Sequence, residues 1–197
     1  MTAPRPLSVA IIVGSTRDRR FGPTVAEWFA GEARRRPALG LDVVDLAESA
    51  LPCVLAADDA GPSEVPHPVR KLGERLGRAD AFVIVTPEYN RSFPASLKTA
   101  IDWFVDEWQA KPVGFVSYGG ASGGLRAVEH LRQVFVELHA VTVRNTVSFH
   151  SCRDRFDDHG RPIDAVGCRA AADSLLDQLA WWAHALRNAR AERPYAA

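Results

Sequence analysis

No apolar stretch of the 197-residue chain approaches the length of a membrane span, and its first six residues, two of them proline, lack the apolar run of a signal peptide. A cytoplasmic protein without membrane contact is expected. Neither sign of charge is in excess, since Lys plus Arg and Asp plus Glu number 24 each. No net field therefore draws the chain to nucleic acid or to an anionic surface. Cysteine is scarce: Cys53, Cys152 and Cys168 are odd in number, widely spaced and form no C-x-x-C. That argues against a disulfide framework and a zinc site and fits a reducing compartment. Internal repeats and low-complexity stretches are absent too. With 47% hydrophobic and 24% charged residues, the composition is that of an ordinary soluble protein. The length suits one domain over residues 1–197.

What is present is an alternation of strand and helix. Residues 8–13 (SVAIIV) form a short, β-branched apolar run ending at Gly14, as expected of a strand buried on both faces. Residues 24–36 carry Val25, Trp28, Phe29 and Ala33 at helical spacing and stop before Pro37. A strand over 41–46, a surface loop over 50–66 and a helix ending near Arg78 follow. Further strands are expected at 81–85 and 113–117, separated by a helix from about Phe93 to Trp108 whose apolar face holds Leu97, Ile101, Phe104 and Trp108. Residues 124–138 read as an amphipathic helix, 141–149 as a fifth strand and 165–189 as a long final helix. This order predicts a parallel sheet with helices on both faces and a ligand beyond the carboxyl ends of its strands.

Three loops at that edge are unusual. The first, Gly14-Ser15-Thr16-Arg17-Asp18-Arg19-Arg20-Phe21-Gly22, leads from a strand into a helix start with hydroxyls and arginines suited to a phosphate. It matches neither G-x-x-x-x-G-K-[ST] nor G-x-G-x-x-G, and a solvated turn is the competing reading. The second, residues 86–94 (TPEYNRSFP), joins two prolines to Tyr89, Glu88 and Asn90. It suits a flat heteroaromatic ring held by a stiff main chain; alternatively it is a Pro-initiated turn, and in both readings Ser92 caps the next helix. The third, residues 117–124 (SYGGASGG), has four glycines, explained either by a tight turn or by close approach to a ligand.

The segments VGSTR (13–17), TPEYN (86–90), PASLKTAIDW (94–103) and KPVGFVSYGG (111–120) together resemble the NADPH-dependent FMN reductase family, which includes quinone, azo-dye and chromate reductases. The match runs in order from about Val9 to Leu138. It implies a flavodoxin-like three-layer sandwich with a five-stranded parallel sheet of order 2-1-3-4-5. It implies FMN as cofactor, with Ser15, Arg17, Phe21 and Gly22 at the phosphate, Pro87, Glu88, Tyr89 and Asn90 bordering the isoalloxazine ring, and Tyr118, Gly119 and Gly120 touching it from the third loop. Arg20 departs from the family pattern, since many relatives carry a hydroxyl residue there.

By the same resemblance NADPH or NADH serves as co-substrate. A small acceptor follows in ping-pong order: a quinone, a free flavin, an azo compound or a metal oxyanion. Hydride chemistry belongs to the flavin, so no catalytic side chain is assigned. The competing readings are a flavodoxin-like electron carrier, disfavoured because such carriers usually present an acidic face, and a nucleotide-binding regulatory protein without redox chemistry. His130, His139 and His150 have no metal-ligand spacing with the cysteines, so no metal is expected. The family also implies a homodimer or homotetramer. The aromatic segment 103–108 and the last helix, with Trp181 and Trp182, are candidate contacts.

Overall fold

The apolar runs become five parallel strands: β1 (Leu7–Val13), β2 (Leu39–Asp45), β3 (Ala81–Pro87), β4 (Pro112–Tyr118) and β5 (Val141–Phe149). In this computed structural model residues 5–57, 61 and 63–196 are described. Residues 1–4, within the proline-bearing start, and 58–60 and 62, within the expected surface loop, lie outside them. The strands order as β2-β1-β3-β4-β5, the flavodoxin-like arrangement. β3 and β4 are buried at every position, whereas β2 and β5, at the two edges, are only partly covered. Continuous apolar runs are what strands covered on both faces require.

Side chains alternate between faces along each strand, and this sorts the core into two halves. Val9, Ile11 and Val13 of β1, with Val83 and Val85 of β3, face α1 (Gly22–Arg34) and α5 (Ala165–Glu192), where they meet Val25, Phe29, Leu175 and Leu179. Ala10, Ile12, Phe82, Ile84 and Phe115 face α2 (His67–Arg78), α3 (Ala95–Asp102) and α4 (Leu125–Glu137), where they meet Leu72, Ile101 and Leu131. Among the described residues, no helix is long and apolar enough to cross a membrane.

The third helix is shorter than its periodicity suggests. It ends at Asp102, and the chain then runs through turns to Ala110, which sits at φ 51°. Phe104 N–H reaches back to Ile101 O at 3.2 Å and Trp108 N–H to Val105 O at 3.2 Å, contacts of tight turns rather than of an α-helix. Phe104 and Trp108 are nonetheless buried, Trp108 against Phe82 and Phe135 with ring centroids 4.6 and 5.4 Å away. The helix also starts without Ser92: Pro94 is its N-cap and no side chain caps it.

At the amino edge of the sheet, Lys111 is buried and its Nζ donates to Leu76 O and Gly77 O in the last turn of α2, at 3.0 and 3.2 Å. Burial, reinforced by Arg190 and partly offset by Glu107 and Asp80, pushes its ammonium down to about 8. Between pH 8 and the ordinary lysine value the unfolded chain holds a proton that the folded protein has released, so this group adds stability as pH rises. From pH 7.5 to 10, the wild type should gain ~2 kcal/mol relative to Lys111→Met. Urea unfolding of both proteins at the two pH values checks this, and parallel pH dependences would refute it.

Candidate active site

The loops after β1, β3 and β4 converge on a cleft of about 370 Å³ at the carboxyl edge of the sheet. Arg17, Asp18, Arg19, Arg20 and Phe21 line it from the first loop, Pro87, Glu88 and Tyr89 from the second, and Tyr118 and Gly119 from the third. The other expected residues lie around it. Ser15 is fully buried beneath the wall, Gly22 packs under the Tyr118 hydroxyl, and Asn90 and Gly120 are exposed beyond the rim. Cys152 and Arg153, just past β5, complete the wall and were not anticipated. Their position beyond a strand's carboxyl end was the available signal, but the sequence around them has no motif. A larger cleft of about 940 Å³ opens at the amino edge, between Arg5, Lys71 and Arg78. Ligands of open parallel sheets bind at the opposite edge, so its size does not make it the active site.

Hydrogen bonds tie the loops into one unit. Ser15 Oγ and Tyr89 Oη lie 2.7 Å apart, joining the first loop to the second. Glu88 N–H donates to Tyr118 O at 3.2 Å, while its carboxylate accepts from Arg126 N–H at 3.2 Å and Arg126 Nη1 at 2.9 Å, joining the second loop to the start of α4. Burial would raise the Glu88 carboxyl, but hydrogen bonds from Ser122 and Arg126 outweigh it and hold the group below its ordinary value. The third loop is fastened to β5 and its exit: Gly119 N–H donates to Phe149 O, Ser151 N–H to Gly120 O and Cys152 N–H to Gly119 O, at 3.1, 2.8 and 3.0 Å. His150 Nδ1 lies 2.8 Å from Ala121 O, so this histidine braces the loop.

The stiffness of the second loop comes from a hairpin more than from its prolines. Tyr89 and Ser92 exchange both backbone hydrogen bonds, at 2.8 and 3.0 Å, around Asn90 and Arg91 with φ of 49° and 70°. This is the two-residue turn that matches strand twist. Ser92 is held there, with Oγ 3.1 Å from His130 Nδ1, and is not the cap of α3.

At the other end of the cleft, α1 begins at Gly22 with no side-chain cap, a proline in its first turn and no acidic residue there. Its free N–H groups and dipole are therefore unopposed. Arg17 lines the same cleft as the Phe21 N-cap and is exposed, its Cζ 5.8 Å from the Tyr89 ring centroid. No serine or cysteine here is an activated nucleophile. The Ser15 hydroxyl pairs with a phenol rather than a base, and burial pushes the Cys152 thiol up. Among the described residues no group of three or more His, Cys, Asp or Glu could hold a metal ion.

Residues 7–154, from β1 to the 3₁₀ turn at Cys152–Arg155, match the family described as NADPH-dependent FMN reductase. The chain belongs to that family. It is thus an oxidoreductase that works with FMN and NAD(P)H. An NAD(P)H-dependent FMN reductase of Schizosaccharomyces pombe is 36% identical over 135 residues, covering 63% of this chain and 66% of that protein. A quinone reductase of Pseudomonas putida is 32% identical over 182 residues, covering 89% and 94%. Among solved structures, the flavoenzyme NAD(P)H:(acceptor) oxidoreductase of Paracoccus denitrificans superposes with a TM-score of 0.72 at 25% identity, covering 89% of this chain and 98% of that one.

The residues of this FMN reductase family member fit the cofactor. One polar atom stands out: Tyr118 Oη is buried and makes no hydrogen bond among the described residues. It sits where a Cβ on Gly22 would lie 2.8 Å away, beside the uncapped start of α1. Burial, with the nearby Tyr89, outweighs the neighbouring Ser15 hydroxyl and pushes the phenol well above its ordinary value, so it can act only as a neutral donor or acceptor. A buried hydroxyl left unpaired costs about 1–3 kcal/mol, and an anion at the α1 N-terminus would give it a partner.

Proposed function

We propose that the protein reduces quinone-type acceptors with electrons from NAD(P)H, using FMN held in the cleft at the carboxyl edge of the sheet. The observation that carries this is the joining of three loops into one cleft with a basic, uncapped helix start at one end. Arg17, the first-turn N–H groups at Gly22 and the Tyr118 hydroxyl hold the phosphate. Ser15, buried and bonded to Tyr89, supports that loop from beneath. Phe21 closes the side of the cleft with an edge-on contact to Tyr118, their ring centroids 6.2 Å apart. Pro87, Glu88, Tyr89 and Asn90 border the ring on one side, and Tyr118, Gly119 and Gly120 border it on the other. Bound there, FMN would supply the hydride chemistry that links NAD(P)H oxidation to reduction of the acceptor, in ping-pong order.

The chain's own task is to position and exclude. The Glu88–Arg126 pair fixes the gap between the two ring-bordering loops, and Glu88, kept ionised, is an acceptor and not a proton donor. Relatives named as quinone reductases in Pseudomonas putida and as probable NADPH:quinone oxidoreductase in rice, the latter 34% identical over 171 residues, favour a quinone. Free flavins, azo compounds and metal oxyanions are further acceptors in this reading, which also includes a cytoplasmic location and a homodimer or homotetramer.

The test is an anaerobic titration of the FMN-loaded protein. NADPH or NADH should bleach the flavin absorbance, and a benzoquinone should restore it. Parallel double-reciprocal plots should accompany turnover. Binding of FMN without bleaching would instead identify an electron carrier, and converging plots would remove the ping-pong order.

Tyr118→Phe should separate stability from binding. Loss of the unpaired hydroxyl is expected to stabilise the flavin-free protein by ~1 kcal/mol while FMN binding weakens about 5- to 10-fold. Melting curves and fluorescence titration read the two effects. An unchanged FMN affinity would show that the phenol does not meet the ligand.

A further inference from the structure

Three arginines crowd the loop after β1, and the structure gives them different surroundings. Arg17 is exposed; its guanidinium has no ion-pair partner among the described residues and lies over the Tyr89 ring. The Arg19 side chain is 93% exposed, 3.9 Å from Asp18. Arg20 is only 17% exposed and is locked: Nη1 and Nη2 contact the two oxygens of Asp45 at 2.5 and 2.7 Å, and Nη1 also donates to Ser15 O at 2.9 Å. Asp45 closes β2 and is itself anchored, accepting from Ala47 N–H at 3.0 Å through its side chain and from Ser49 Oγ at 3.0 Å through its carbonyl. A guanidinium forked onto one carboxylate has its charge neutralised and its geometry fixed.

Although Arg20 lines the cleft, both of its terminal nitrogens are engaged within the protein, and we infer that it is a positioning residue: Asp45 aims it at the Ser15 carbonyl, and together they set the phosphate loop from the β2 side rather than ligating the phosphate. Tyr89 holds the same serine from the β3 side through its hydroxyl, so Ser15 is clamped between two strands. The loop that must present its N–H groups to an anion is thereby ordered before the anion arrives, which lowers the ordering cost of binding. The inference rests on the reading that this loop receives the FMN phosphate.

Asp45→Asn gives the two roles opposite signs. Asparagine can still accept from Ala47 N–H, so the 3₁₀ turn at Leu46–Glu48 keeps its cap, but the forked ion pair is lost. If Arg20 positions the loop, FMN affinity falls about tenfold, and riboflavin, which lacks the phosphate, binds within about twofold of wild type. If Arg20 were a phosphate ligand, releasing it from Asp45 would leave FMN binding unchanged or tighten it, and the inference would be overturned. Arg20→Lys keeps the charge but not the fork and should lose FMN affinity in the same way; wild-type affinity in this variant also overturns the inference. Fluorescence titration of the flavin-free full chain with both ligands supplies the numbers, and a melting curve accompanies each variant. An equal loss for both ligands with a lowered melting temperature would show general structural damage and reject a positioning role. A wild-type protein that binds FMN no better than riboflavin would instead remove the phosphate reading of the loop itself.

Discussion

Alanine in place of Arg17 is expected to weaken FMN binding roughly 10- to 100-fold and to leave riboflavin binding within about twofold, because charge-assisted hydrogen bonds contribute about 1.5–3 kcal/mol. Of the three arginines in the first loop, all of which line the cleft, it alone is without a carboxylate partner among the described residues. Its charge is therefore available to a dianion, whereas that of Arg20 is spent on Asp45. Little folding stability should be lost, since Arg17 makes no ion pair within the protein and is exposed. Arg19→Ala serves as the control, with FMN affinity falling no more than about threefold, the scale of an exposed and screened charge. Titrations at low and high salt add a second readout: the difference between wild type and Arg17→Ala should narrow as salt rises. Equal affinities of the two proteins for FMN would exclude Arg17 as the cation at the phosphate.

The strands and most helices were legible because their signals are local. β-branched runs such as SVAIIV and helical spacing such as Val25, Phe29 and Ala33 are set by which faces are buried, and burial decided both. The strand order 2-1-3-4-5 came from the resemblance in TPEYN and the flanking motifs, since periodicity carries no information about which strands pair. The end of α3 was hidden because Phe104 and Trp108 keep apolar spacing through turns that bury them as a helix would. The hairpin at the second loop was hidden as well: its turn is Asn-Arg, and Arg91 adopts φ 70° without the glycine that usually marks such turns. In the site, the loops were legible as places but the contacts within them were not. The pairings of Arg20 with Asp45, Ser15 with Tyr89 and Glu88 with Arg126 cross 25 to 74 residues, and only the folded sheet brings them together. The same distance in sequence concealed Cys152 and Arg153.

Gly124→Ala should have the largest effect on stability at the site, about 2–4 kcal/mol, and Gly120→Ala, four residues earlier, almost none. Gly124 lies at φ 88°, and a Cβ there would stand 2.6 Å from Ser117 Cβ and 2.9 Å from Tyr118 N, atoms of the strand end that cannot swing aside. The melting temperature should drop by about 5–15 °C, and FMN binding should fall with it, because the displaced segment carries the cleft wall at Tyr118 and Gly119. A Cβ on Gly120 would meet nothing of the protein within 4 Å. Its stability change should stay within about 0.5 kcal/mol. If the ring approaches this backbone closely, the added methyl should still weaken FMN binding about fivefold or more. The sequence offered two explanations for the glycines of this loop, a tight turn and a close ligand. The pair of variants separates them by position: the turn demands Gly124, while a close ligand would demand Gly120. Urea unfolding combined with FMN titration measures both quantities, and a Gly120→Ala protein with unchanged affinity would leave the turn as the whole reason for the glycine-rich segment.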